Sequence, residues 1–172
     1  MKRAMFPAAL LALSAPMPAM SQDAPGEPGE PGLTFVFEEI VELGAAVEAG
    51  ETARGGRLII PITGGRFSGP DMQGEVMPGG WDWQLRRADG CTDAKADYFL
   101  NTDDGAIINV VNTGVICPPA EDGTPRPVRT HPVFEAPLGK YAWMGQTAFV
   151  GTLQMAEGHD VPAVRIRFYR VD

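Results

Sequence analysis

Glycine and proline interrupt this chain so often that helices of ordinary length have little room between them. With 21 Gly and 16 Pro in 172 residues, the two together take nearly twice their share in an average globular chain. In a helix interior Gly costs about 1 kcal/mol and Pro about 3 kcal/mol relative to Ala, which argues against a helical bundle. The runs between the breaks carry a different period. Trp81-Asp82-Trp83-Gln84-Leu85-Arg86 alternates strictly between apolar and polar residues, and Val164 to Arg170 does so apart from Tyr169. A period of two marks a half-buried strand. Further β-rich runs are 33–37, 107–111, 148–152 and 57–63, the last ending at Gly64-Gly65. Turn signals at Gly69-Pro70, Pro78-Gly79-Gly80, Asp89-Gly90 and Asp104-Gly105 separate runs. Many short strands with regular turns predict an all-β sandwich or barrel. The one weak helix candidate runs from Val41 to Ala49, confined by Gly44 and Gly50.

The N-terminus reads as an address. Lys2 and Arg3 precede an uncharged, mostly apolar run from Ala4 to Ala15. That run has the length of a signal-peptide core and is shorter than the roughly 20 residues of a membrane helix. Ala19-Met20-Ser21 places small residues for cleavage before Gln22. Residues 1–21 are therefore read as a secretory signal, which predicts a periplasmic or secreted protein with no membrane span after its removal. Residues 22–32 contain Gly-Glu-Pro twice in succession. Collagen needs a sustained triplet, so this segment is read as an extended linker. The domain is expected over residues 33–172, and its length suits one domain.

Charge narrows the partners. Without Lys2 and Arg3, 12 of the 14 basic residues remain against 22 acidic ones, a charge of −10. Such a chain repels a nucleic-acid backbone. Two Cys and two His cannot build a rich metal cage, and no metal or cofactor is predicted. No nucleophile elbow, phosphate loop or zinc-protease helix motif is present. His131 and His159 read as isolated loop histidines.

One hairpin is defined closely enough to predict a covalent bond. Ala94, Ala96, Tyr98 and Leu100 alternate with Lys95, Asp97, Phe99 and Asn101, and Asp103-Asp104-Gly105 makes a turn. A turn centred on Asp104 pairs residues whose numbers sum to 208, as those of Cys91 and Cys117 do. Directly opposed strand residues lie within disulfide reach, and an exported chain meets an oxidising compartment. A Cys91–Cys117 disulfide is expected.

The candidate binding residues are Trp83, Trp143, Tyr141, Asp82, Asp103 and Arg129. Aromatic rings with a polar edge stack on flat ligands, or they fill a core. Asp82, Gln84 and Arg86 share the face opposite Trp81 and Trp83. Turned inward, that face is a polar pocket wall; turned outward, it is a solvated surface. Asp103 and Asp104 suit a turn, where Asp bonds the backbone ahead, and are a weak signal for Ca²⁺. Arg129 is able to clamp a carboxylate, or to form a surface ion pair.

Several segments together carry a resemblance. They are Ile60 to Pro70, Gly74 to Gln84, Thr102 to Ala106, Arg129 to Glu135, Tyr141-Ala142-Trp143 and Phe149 to Thr152. In this order and spacing the chain resembles the family catalogued as domain of unknown function 3237, formerly uncharacterised protein family 0311, over about residues 33–172. The resemblance implies a closed antiparallel β-barrel, lipocalin-like, with about eight or more strands and little helix. It implies no established reaction. It suggests that a family site includes the Trp-Asp-Trp-Gln, Thr-Asp-Asp-Gly and Tyr-Ala-Trp positions. The export signal, the two Cys and the short 117–123 segment depart from the family's usual pattern.

The leading expectation is an exported barrel that binds a small, partly apolar ligand. The alternative is a cofactor-independent acid–base enzyme, an isomerase, cyclase or lyase, with Asp82 or Asp103 as base and Arg129 steadying an enolate. A third reading is a protein-interaction module. A buried carboxylate beside an open cavity favours the enzyme. N-terminal sequencing of exported protein should give a chain beginning at Gln22; a chain beginning at Met1 refutes the signal.

Overall fold

In the computed structural model, which describes residues 29–172, the alternating runs are strands, several of them longer than the sequence suggests. They are β1 (Leu33–Leu43), β2 (Val47–Thr52), β3 (Gly55–Ser68), β4 (Gln73–Val76), β5 (Gly80–Arg86), β6 (Thr92–Thr102), β7 (Ile107–Ile116), β8 (Val128–Glu135), β9 (Phe149–Met155) and β10 (Ala163–Val171). The signal segment and most of the Gly-Glu-Pro linker lie outside the described residues. Pro31–Asp172 is one compact unit. The only helical element among the described residues is a 3-10 segment, Ala142–Gln146.

Val41–Ala49 is not helical, contrary to expectation. β1 runs on to Leu43, and β2 begins at Val47. The five residues between Gly44 and Gly50 offer less than one and a half helical turns, below the length at which an isolated helix is stable. Val41 is instead paired on both sides, with Val164 of β10 and Gly65 of β3.

The strands pair antiparallel around a ring, and β1 closes it by bonding to β3. The result is a closed eight-stranded barrel with two extra strands. The 14-residue β3 makes closure possible by serving several partners in succession. Its first half pairs β2 and β5; its second half pairs β1 and β4. Gly64-Gly65, which reads as a strand end, is therefore a point within the strand. At Gly65 φ is 136°, and a Cβ there would lie 2.0 Å from the Ile40 carbonyl oxygen. Only glycine permits this approach between β1 and β3.

The interior is packed unevenly. Phe37, Phe67, Phe134, Phe149 and Phe168 are all buried. Phe37 lies 4.8 Å from Phe168 between ring centroids, and Phe134 lies 4.8 Å from Phe149. Tilted and edge-to-face contacts of this kind add to the area that each ring buries. Tyr141 and Met144, buried residues in and beside the 3-10 segment, join this cluster.

The β6–β7 hairpin has the expected register. Pairs run from Asn101–Ile107 to Thr92–Ile116, and each sums to 208. One step further, Cys91 and Cys117 form a disulfide. Closing a loop of 26 residues' separation contributes about 3.5 kcal/mol in the chain-entropy model. A double Cys91→Ser, Cys117→Ser variant is expected to keep the β-sheet circular dichroism spectrum and to lose about 3 kcal/mol in denaturant unfolding. An unchanged unfolding midpoint would show that the bridge does not constrain the unfolded chain.

Candidate functional site

β5 shows which way its two faces point. Trp81 and Trp83 are 40% and 42% exposed, on the outside of the barrel. Asp82 and Gln84 consequently face inward, and both line an interior cavity of about 370 Å³. That volume lies within the usual range of small-molecule sites. The walls are mostly aliphatic, including Val41, Ile60, Ile62, Leu153, Val164 and Ile166. None of the five buried phenylalanines reaches it. The aromatic cluster and the cavity thus occupy different parts of the barrel, and Ile116, next to the disulfide, lies on the cavity side.

Polar groups converge on this apolar space. Asp82, Gln84, Tyr98, Asn112 and Thr130 line it. Gln84 Nε2 donates to Asp82 Oδ2 at 2.7 Å. Asp82 Oδ1, Asn112 Oδ1 and Thr130 Oγ1 are buried and have no hydrogen-bond partner in the protein. Unpartnered buried polar atoms are rare in native structures and need a reason. Burial pushes the Asp82 carboxyl above the ordinary aspartate range, and bonds from the Gln84 side chain and the Lys95 backbone hold it back in part.

A second carboxyl stands behind Tyr98. Glu39 is fully buried, and the Tyr98 hydroxyl donates to its Oε1. Burial raises the Glu39 pKa to about 8, against the lowering effect of that hydrogen bond. Burial, followed by the charge of Glu39, likewise raises the Tyr98 pKa; Asp82 adds to the effect. One tyrosine therefore senses both carboxylates.

The six sequence candidates fall in three places. Asp82 alone lines the cavity. Trp83 and Arg129 lie on the outer wall and line a groove there. Asp103, Tyr141 and Trp143 belong to the end near the 3-10 segment. Asp103 accepts from Gln73 Nε2 at 2.6 Å. Asp104 accepts from Lys140 Nζ at 2.7 Å and from the Tyr141 hydroxyl at 3.0 Å. Hydrogen bonds from Lys140, Thr102 and Tyr141 lower its pKa to about 2. Asp104 thus ties the turn to Lys140 and Tyr141, just before the 3-10 segment, and Asp103 ties it to β4. Trp143 packs on Phe149, with centroids 5.8 Å apart. Among the described residues, no group of three or more His, Cys, Asp and Glu is placed to hold a metal. His131 sits on β8, on the outer wall and not in a loop.

Sequence reasoning missed Glu39, Tyr98, Asn112 and Thr130. Glu39 is in phase with inward-facing Phe37 and Val41, but Glu38 occupies the other phase, so the pattern alone is undecided. A bulge between Phe35 and Phe37 also breaks the alternation that would have settled it. Tyr98 was in plain view, on the inward face of the predicted hairpin.

Residues 31–171 match the family model described as "Protein of unknown function (DUF3237)". A UPF0311 protein of Rhodopseudomonas palustris is 36% identical over 129 residues, which cover 69% of this chain and 84% of the relative. A hydroalkoxylation enzyme of Penicillium herquei is 30% identical over 125 residues, 73% of this chain and 76% of that one. Among solved structures, a β-barrel-like protein of Acinetobacter baumannii superposes with a TM-score of 0.76. It is 31% identical and covers 85% of this chain and 99% of its own.

Glu39 has a consequence that needs no ligand. Burial raises its carboxyl from the ordinary 4.5 to about 8, so the folded chain binds its proton more tightly. The stability that Glu39 contributes is full below pH 4.5 and falls as pH rises toward 8, with a slope of up to about 1.4 kcal/mol per pH unit from this group. Denaturant unfolding across pH 5–8 should show this fall, and Glu39→Gln, which keeps an acceptor for Tyr98, should flatten it. Equal slopes in both proteins would place the proton elsewhere.

Proposed function

The chain belongs to the family described as "Protein of unknown function (DUF3237)", and we propose that its barrel takes a small, partly apolar molecule into the interior cavity, where Asp82 moves a proton on it. The observation that carries this reading is the Asp82 carboxyl on the wall of a largely aliphatic cavity, with its pKa raised by burial. A carboxylate made more basic than usual is a better general base near neutral pH. Asn112 and Thr130 offer buried, unpartnered oxygens to orient a ligand hydroxyl. The aliphatic walls suit its carbon skeleton.

The reaction class is redox-neutral proton transfer: isomerisation, cyclisation or elimination. The Penicillium relative is named for hydroalkoxylation. That reaction adds a hydroxyl across a carbon–carbon double bond. The oxygen bonds to one carbon, and a proton goes to the other. Here Asp82 takes the hydroxyl proton and returns it to carbon, so atoms and charge balance without a second reactant. The export pattern of residues 1–21 and the Cys91–Cys117 disulfide support a location outside the cytoplasm. No helix among the described residues is long and apolar enough to cross a membrane.

The test is incubation with a panel of alkenyl phenols, followed by chiral chromatography of the cyclic ethers. Wild type should form one enantiomer in excess. Asp82→Asn keeps the side-chain shape and should slow formation by at least about 100-fold. The rate should also fall in acid, with an apparent pKa above the ordinary 3.8 of aspartate, because the base must be ionised. Racemic ether formed equally by both proteins would overturn the catalytic role.

A further inference from the structure

The outer wall carries a groove of about 640 Å³, larger than the interior cavity. Its floor follows from strand register. Trp83 of β5 lies opposite Lys95 of β6, and the same row continues through β7 to His131 of β8. Arg57 and Arg129 are each two positions along their strands from this row, and so share its face. Arg54 reaches the groove from the β2–β3 turn.

Charge makes this groove unusual. The chain is strongly acidic, yet four cationic side chains meet here: Arg54, Arg57, Lys95 and Arg129. Among the described residues, none of the four makes an ion pair. Of the other eight described Lys and Arg, six make at least one: Arg86, Arg87, Lys140, Arg165, Arg167 and Arg170. Arg66 and Arg126 also make none, but neither lines the groove. The single acid in the lining, Asp93, is held by Arg87 at 3.0 Å. Arg57 donates one N–H to the Gln84 carbonyl at 3.3 Å, and Arg129 donates one to the Val128 carbonyl at 3.2 Å. These bonds orient the two guanidinium groups and leave most of each fork without a partner in the protein.

Like charges gathered in one place repel each other, which costs stability unless an anion offsets it. Here they gather around an indole that is 42% exposed. Indole stacks on flat rings. Guanidinium forks bind carboxylate, sulfonate or phosphate with paired hydrogen bonds. We propose that this groove binds a planar aromatic molecule bearing two or more negative charges, at a site on the opposite face of β5 from Asp82. Asp82 and Trp83 then serve two ligands on the two sides of one strand, and the outer site does not rest on the catalytic reading of the inner one.

The probe is naphthalene-1,3,6-trisulfonate, titrated into the full protein at low salt. Tryptophan fluorescence reports binding, and equilibrium dialysis gives the stoichiometry. One saturable site is expected, at least tenfold weaker at high salt because exposed charges are screened over about 8–10 Å. Lys95→Gln and Arg129→Gln should each weaken binding several-fold, and Arg57→Gln with Arg129→Gln should weaken it more. Trp83→Leu should weaken it too, with Trp83→Phe restoring part of the loss. Asp82→Asn should leave it unchanged. The site would be overturned by no saturation at millimolar probe, or by undiminished affinity in the Arg57, Arg129 double variant. Loss of binding in Asp82→Asn would also overturn it, since that places the probe inside the barrel. Equal affinity for inorganic sulfate would reduce the groove to a charge trap and refute the aromatic part.

Discussion

The pairing of β1 with β3 is the interaction on which the rest depends. Without it the strands form an open sheet with two free edges, and such edges invite pairing with other chains. With it, the inward side chains are enclosed on all sides. Closure is what turns Glu39 into a fully buried carboxyl and Asp82 into a basic one, because both shifts arise from desolvation. Gly65 permits the closure, since its missing Cβ leaves room for the Ile40 carbonyl.

Closure alone would give either a filled core or an empty one. The distribution of large side chains decides. Five phenylalanines supply the packed region, and the 3-10 segment adds Tyr141 and Met144 to it. The cavity side carries aliphatic and small residues such as Ala94, Ala96 and Gly114, which leave volume unfilled. The disulfide sits just beyond Ile116, where the wall has fewer interior contacts to brace it. A hollow region costs contacts that a filled core would make, so a covalent brace beside it offsets part of that cost.

The wall strand β5 inverts the ordinary arrangement. Its tryptophans face outward, and its polar residues Asp82 and Gln84 face the interior, while Arg86 at the strand's end is exposed and paired with Glu48. An exposed indole pair and a desolvated carboxylate are both unfavourable for folding. Having both on one six-residue run concentrates the chain's costly choices on a single strand. The neighbouring cationic cluster adds a third. Costs of this kind collect where a surface or a cavity has work to do beyond folding.

How far the sequence reaches is clearest in three elements. The β6–β7 register and its disulfide were legible because a tight turn and two cysteines are local features. The alternation of β5 was equally plain, but alternation is symmetric between its faces and cannot say which one is buried. In β1 the adjacent glutamates tied the two phases, and the helix expected at Val41–Ala49 gave way to pairing with strands distant in sequence. The sequence by itself determined strands, turns and one covalent bond, all set by neighbours along the chain. Only the tertiary structure decided which carboxylates lose water, where the hollow lies and which charges lack partners. Those properties belong to a closed surface, and closure is made by residues that are remote until the barrel forms.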